Sequence, residues 1–346
     1  MKIGLLGGTF DPIHNGHLAI AKTALKRLGL DQVWFVPSLK TPLKDRELTP
    51  FELRVMMMEK ALRPYRKMKL CLIEKDLPTP SYTITTVKTL KKQYPEYDFV
   101  WIIGDDQYAN LDQWKAVDEL CRLVQFAVFS RQGIAVKQPG FLYVENFSHP
   151  ASSTAVRQGA FKAVPKAVRQ VMLETGLYVE EIAKAYCKPH RYQHCVTMSA
   201  LAVELAKAHG VNPRKAYVAG MLHDLAKGLD EETARSWIEV YWPQARDQAW
   251  KIWHQYIGAT WLKTRLYLYD QEILEAVAWH TTGEGKSDLA KIIYIADKID
   301  PGRGYDITRQ KAVCLQDLDQ GFRLIQQEQK AYLRSEERRV GKECRL

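Results

Sequence analysis

What this sequence lacks narrows its class before any motif is read. Its six cysteines, Cys71, Cys121, Cys187, Cys195, Cys314 and Cys344, form no Cys-x-x-Cys pair. They indicate neither a disulfide framework nor a zinc knuckle, and read as reduced cytosolic thiols. No apolar run approaches the roughly 20 residues of a membrane span. Met1 leads straight into an apolar strand, leaving no room for a signal peptide. A soluble, cytoplasmic protein without a membrane partner is expected. Also missing are the Gly-Lys-Ser/Thr of a P-loop and the Gly-x-Gly-x-x-Gly of a dinucleotide fingerprint, so neither common phosphate-binding device applies. The formal charge of +10 invites a nucleic-acid reading, but lysine and arginine are spread along the whole chain. With no arginine-rich arm, zinc-finger or RNA-binding signature, a basic surface that attracts phosphorylated small molecules is the better account, and no nucleic acid is expected as partner. At 346 residues the chain is long for one domain, so two are expected.

What is present begins in the first eighteen residues. Ile3, Leu5 and Leu6 form an apolar run ending in Gly7-Gly8, a buried strand breaking into a tight turn. After Thr9, Phe10, Asp11 and Pro12 comes His14-Asn15-Gly16-His17, and from Leu18 the pattern is helical. A strand, a glycine turn and a helix N-terminus make an anion site, because free backbone N–H groups and the helix dipole converge there. His14 and His17, three apart at the mouth of the helix, can donate from neutral imidazole to phosphate oxygens and gain as charge builds on them.

Further on, Val33–Val36, Leu70–Ile73, Phe99–Ile103 and Gln125–Phe129 read as strands. Helices start at Thr49-Pro50-Phe51-Glu52, which carries Arg54, and at Pro80-Ser81-Tyr82-Thr83. This alternation implies an α/β doubly wound parallel sheet with ligands at the carboxyl ends of its strands, the edge faced by the first glycine turn and by Gly104-Asp105-Asp106. Ala151-Ser152-Ser153-Thr154-Ala155-Val156-Arg157 adds hydroxyls at a helix start with an arginine one turn on, a second anion device.

These motifs resemble the nucleotidyltransferase superfamily marked by His-x-Gly-His, and more narrowly bacterial nicotinate-mononucleotide adenylyltransferase. The resemblance covers about residues 1–182. It implies that His14, His17, Lys44 and Arg157 act on the reacting phosphates, and that Gly7, Gly8, Thr9, Phe10, Gly104, Asp106, Ser153 and Thr154 help hold ATP. Ser81, Tyr82, Thr83 and Trp114 would hold the pyridine nucleotide, Trp114 by stacking. The reaction implied is in-line attack of the mononucleotide 5′-phosphate on the α-phosphorus of ATP, with Mg2+ arriving on ATP. Nicotinamide mononucleotide and phosphopantetheine are the rival acceptors.

From about 186 to 332 only helical periodicity appears, so an all-α second domain is expected there, with 334–346 a tail outside any folded element. Helices are expected over 190–209, 213–226, 231–241, 244–264, 270–280, 287–299 and 309–332. His194, His223, Asp224, His254, His280 and Asp297 are dispersed through these apolar helices. A carboxylate on a buried helix face costs several kcal/mol unless paired or metal-bound, and so many such residues are hard to explain without a metal. Nitrogen and carboxylate donors without thiolates suit Fe, Mn, Zn or Mg. The pattern resembles the HD-domain phosphohydrolases, and the motifs around these residues look like the bacterial HD-type symmetrical dinucleoside-tetraphosphatase. That resemblance places one ion on His194, His223, Asp224 and Asp297 and a second on Asp224, His254 and His280. Lys227, Thr281 and Arg303 would then contact polyphosphate. One or two divalent or iron ions are implied, with dinucleoside polyphosphates as substrate; a homo-oligomer is compatible with this. The chain has His254-Gln255 where the family usually has His-Gly. A nucleotide-sensing module without turnover, or hydrolysis of another nucleotide, is the alternative for this domain.

Overall fold

The computed structural model describes residues 1–41, 47–130 and 137–343, with side chains as far as 335. The chain divides into two compact units, Met1–Val168 and Arg169–Leu346. The segment expected to close the first unit, as far as 182, therefore lies mostly in the second.

In the first unit the strands are β1 (Lys2–Gly8), β2 (Gln32–Pro37), β3 (Met68–Leu70), β4 (Asp98–Gly104), β5 (Gln125–Phe129) and β6 (Leu142–Val144). They form one sheet in the order β3-β2-β1-β4-β5-β6, every pair parallel. The order reverses between β1 and β4, where the crevice of a doubly wound sheet opens. Ile3 and Leu5 on β1 and Val100 and Ile102 on β4 are buried, the near-continuous apolar pattern of strands covered on both faces. The helices are α1 (Asn15–Arg27), α2 (Phe51–Leu62), α3 (Thr83–Gln93), α4 (Asp105–Ala109), α5 (Val117–Leu123) and α6 (Ser153–Arg157). Two details correct the sequence reading. Where a strand was expected at 70–73, β3 ends at Leu70 and Ile73–Asp76 is a 3-10 turn. The sixth strand, β6, was not foreseen; its three residues are too few to show a period.

The second unit is helical. It takes most of α7 (Lys166–Glu174), then α8 (Val179–Tyr186), α9 (Pro189–Ala208), α10 (Pro213–Leu222), α11 (Glu231–Tyr241), α12 (Trp253–Thr264), α13 (Gln271–Ala278), α14 (Asp288–Lys298), α15 (Thr308–Gln316) and α16 (Leu318–Glu343). No helix among the described residues is long and apolar enough to cross a membrane. α8 stands where a linker was expected, its Val179, Ile182 and Ala183 buried at helical spacing. The single helix expected over 244–264 is two 3-10 turns, Pro243–Ala245 and Trp250–Ile252, followed by α12. The backbone expected to be an unstructured tail continues helical to Glu343. α9 and α10 cross closely because Gly220 has no side chain: a Cβ there would lie 2.8 Å from Ser199 Cα. That approach brings the end of α10, and so His223 and Asp224, beside His194 on α9.

Candidate active sites

In the first unit, β1 delivers its chain into a turn in which Phe10 adopts φ 47°, a backbone state uncommon for a side chain of that size. The Phe10 ring holds it there, buried against Phe35 at 5.6 Å and edge-on to His17 at 4.9 Å between centroids. The Phe10 ring is therefore committed to packing. His14 caps α1, and its backbone N–H donates to His17 Nδ1 at 3.2 Å. A neutral His17 then carries its proton on Nε2, the donor form that a phosphate oxygen needs. The two rings stack at 3.7 Å, and Nδ1 of His14 is buried without a partner among the described residues. Burial holds the His14 pKa down to about 4, with the imidazole of His149 adding to the shift, so the ring is neutral near pH 7.

The hydroxyl and arginine motif is laid against the same loop. Ser153 Oγ donates to Pro12 O at 3.0 Å, and Arg157 Nη1 donates to Asp11 O at 2.6 Å, with Nη2 on Thr154 Oγ1 at 3.1 Å. Ser152 caps α6 by accepting from Ala155 N–H. Behind the loop, Arg54 is fully buried and donates to Thr9 O at 2.6 Å and Thr49 O at 2.9 Å. Sequence reasoning placed Arg54 on a helix but gave it no task; it pins the turn after β1 at Thr9, and nothing local to residue 54 announces that.

A cavity of about 500 Å3 opens beside Gly7, Gly8 and Thr9 and is lined also by Ser81, Tyr82, Thr83 and Trp114. The glycine turn and the residues expected to hold the pyridine thus meet in one hollow. Trp114 leans edge-on against Phe126 at 6.3 Å, and the Ser81 hydroxyl accepts Leu39 N–H at 3.2 Å, tying a loop as well as facing the hollow. Gly104 and Asp106 stand at the end of β4 and the start of α4, outside this lining. Lys44 lies outside the described residues.

In the second unit four imidazoles surround Asp224. His194 Nε2 is 3.2 Å from His223 Nε2, and His254 Nε2 is 3.1 Å from His280 Nε2. Asp224 reaches both pairs, with Oδ1 3.2 Å from His254 and 3.5 Å from His280, and Oδ2 3.6 Å from His223. His194, His223 and Asp224 form one donor group and Asp224, His254 and His280 a second, sharing the carboxylate. The far nitrogen of each ring is engaged. Nδ1 of His223, His254 and His280 meets Gly220 O, Lys251 O and Val277 O at 2.7, 2.8 and 2.7 Å. Nδ1 of His194 meets Asp300 Oδ2 at 2.7 Å. A neutral ring that donates from Nδ1 presents its lone pair at Nε2, so His223, His254 and His280 turn three lone pairs toward one carboxylate. Facing lone pairs repel; a shared cation turns that repulsion into binding. The set fits a metal, and its nitrogen and oxygen donors without sulfur suit a divalent or iron ion.

The electrostatics agree. Burial lowers the pKa of His223 to about 4 and lowers His254 and His280 too, leaving them neutral near pH 7. Burial opposes the charge of Asp224, but His223, His254 and His280 outweigh it and hold the carboxyl well below its usual range. His194 differs: burial disfavours its charge, yet hydrogen bonds to Asp297 and Asp300 lift it to about 9.

Of the expected ligands, five converge. Asp297 adjoins them, its Oδ1 3.3 Å from His194 Nε2, but its oxygens are held by Arg303 at 2.9 Å and Lys298 at 2.8 Å. Lys227 Nζ sits 3.0 Å from His254 Nε2, and Thr281 Oγ1 3.3 Å from the same atom. Sequence reasoning missed Arg191, which pairs with Asp224 at 3.0 Å, and Asp300, which orients His194. Gln255, the departure from His-Gly, is fully buried, and its Oε1 accepts the backbone N–H of Thr281 and Thr282 at 3.0 and 3.3 Å. It braces the turn after His280 and leaves His254 in place.

Comparison with known proteins follows the same division. A cytidylyltransferase-like family model matches residues 5–159 and an HD domain model residues 191–302. A Mycoplasma genitalium protein named probable nicotinate-nucleotide adenylyltransferase/Ap4A hydrolase is 31% identical over 311 residues, 87% of this chain and 88% of that protein. A Mycoplasma pneumoniae protein of the same name is 28% identical over 92% of this chain and 96% of its own length. The nicotinate-nucleotide adenylyltransferase of Bacillus subtilis is 39% identical over 186 residues, 51% of this chain and 98% of that protein. With both halves matched by relatives that carry them on one chain, this protein belongs to the family of two-domain proteins named nicotinate-nucleotide adenylyltransferase/Ap4A hydrolase.

Proposed function

We propose that the chain is a bifunctional enzyme. Its first unit transfers AMP from ATP to nicotinate mononucleotide, giving nicotinate adenine dinucleotide and pyrophosphate. Its second hydrolyses dinucleoside polyphosphates such as diadenosine tetraphosphate to ADP at a metal site. The observation that carries this reading is the likeness to a relative named for both activities, extending over 88% of that relative's length.

The geometry supports the following residue roles. The transfer needs no covalent intermediate, so the protein's work is positioning and charge dispersal. His17, its Nδ1 taken by the His14 backbone N–H, offers Nε2 to a phosphate oxygen, and neutral His14 stacks against it, while Arg157, Ser153 and Thr154 receive the triphosphate beside the loop that they brace. Mg2+ arrives on ATP, held by phosphate oxygens. Trp114 and the Ser81–Thr83 turn receive the pyridine in the cavity they share with Gly8. In the second unit His194, His223, Asp224, His254 and His280 would hold one or two divalent or iron ions, with Asp297 beside them. Such ions, when bound, supply Lewis-acid charge to the phosphate being cleaved. Lys227, Arg303 and Thr281 stand at the edge of the cluster, where the rest of a polyphosphate would lie.

Chromatographic product analysis of the intact chain tests both halves. ATP with nicotinate mononucleotide is expected to give the dinucleotide and pyrophosphate, faster than with nicotinamide mononucleotide. Diadenosine tetraphosphate with Mn2+ or Fe2+ is expected to give two ADP. AMP and ATP as the products, or no cleavage with any of these ions, would refute the second half.

A further inference from the structure

The second unit has a cavity of about 210 Å3 with apolar walls from Leu229, Trp250 and Ile257, together with Lys227, Lys251 and His254. It shares His254 with the metal donor set, and Lys227 Nζ is 3.0 Å from His254 Nε2, so the hollow adjoins the cluster around Asp224. Pockets that enclose a whole drug-sized ligand run from roughly 300 to 1,000 Å3, so this one suits a single flat ring system. The state of its tryptophan points the same way. Trp237 and Trp261 pack edge to face at 5.9 Å, Trp242 and Trp279 at 6.1 Å, and Arg235 lies over Trp253 at 5.2 Å. Among the described residues the Trp250 indole has no ring or cation partner, and it is 40% exposed beside the cavity. An indole face left open next to two lysines is what a base followed by phosphates requires.

We propose that this cavity seats one purine base of the polyphosphate substrate, stacked on Trp250, with the phosphates nearest that base held by Lys251 and Lys227. The base thereby positions the chain for cleavage at the Asp224 cluster. This rests on the hydrolase reading above and adds a nucleoside requirement: recognition extends past the phosphates to one terminal base.

The test uses the full chain with Mn2+ and diadenosine tetraphosphate. Trp250→Ala is expected to raise KM roughly tenfold with kcat within about twofold, and Trp250→Phe to recover most of the loss because a flat face is restored. An unchanged KM in Trp250→Ala, or Trp250→Phe no better than Ala, would overturn the proposal. Photolabelling with 8-azido-ADP and peptide mapping gives a readout independent of turnover. Label is expected between Leu229 and Ile257, falling at least fivefold in Trp250→Ala. Label confined to the first unit would overturn the base site. Label at Trp250 in a chain that cleaves no diadenosine tetraphosphate would uphold the base site and refute the hydrolase reading.

Discussion

His14 shows how a single buried group ties chemistry to stability. Its pKa falls from 6.5 to about 4 in the folded chain, a shift worth on the order of 3 kcal/mol between the two protonation states. The unfolded chain therefore binds the proton more tightly. Stability from this group is complete above pH 6.5 and is lost as the pH falls toward 4. NMR titration of the His14 ring is expected to show an inflection near 4, with the first unit weakening over the same range; an inflection near 6.5 would show that the ring is solvated. At the other site, Asp300 makes no contact with Asp224, yet it sets the His194 ring through a 2.7 Å bond to Nδ1 and accepts Thr197 Oγ1 at 2.6 Å. Such orienting partners change metal affinity by about 10- to 100-fold. Asp300→Asn is expected to raise the Mn2+ concentration needed for half-maximal hydrolysis by that factor, without altering adenylyl transfer. An unchanged metal requirement would remove Asp300 from the account.

At the scale of elements, the front site depends on how closely α1 approaches the segment before α6. A Cβ on Gly16 would lie 2.9 Å from His14 Nδ1 and 3.1 Å from the Ala151 carbonyl oxygen. Gly16→Ala is thus expected to displace the imidazole or part the two segments, lowering kcat of adenylyl transfer at least tenfold. Overpacking of this kind costs roughly 1–3 kcal/mol of stability, which thermal unfolding of the first unit would register. Wild-type kcat in Gly16→Ala would mean that the histidines need no such approach. The same scale explains what could be read from the chain alone. β1, its glycine turn and His14-Asn15-Gly16-His17 are contiguous, so spacing revealed them. Arg54 and Thr9, or His194 and Asp300, are 45 and 106 residues apart and meet only through folding. β6 has three residues, and the break before α12 falls in a stretch whose apolar pattern runs on past Pro243, so periodicity alone missed both.

At the scale of the whole molecule, each unit gathers its own cluster of polar groups among the described residues. The first offers a neutral His14 stacked on His17 and braced main chain at the carboxyl edge of a parallel sheet. The second offers five converging nitrogen and carboxylate donors among buried helices. The identity of each fold was readable because its motifs are local and each motif type belongs to one kind of architecture. The boundary near Val168 was not, because α7 and α8 have the composition of either neighbour and only packing assigns them. Removal of metal from the intact chain with a chelator is expected to abolish hydrolysis of diadenosine tetraphosphate and leave transfer intact once Mg2+ is restored for ATP. The most direct test compares both activities on the intact chain and on His17→Ala and Asp224→Ala. His17→Ala is expected to lose formation of nicotinate adenine dinucleotide while still producing ADP from diadenosine tetraphosphate, and Asp224→Ala to do the reverse; loss of both activities from either substitution would contradict two separately built sites.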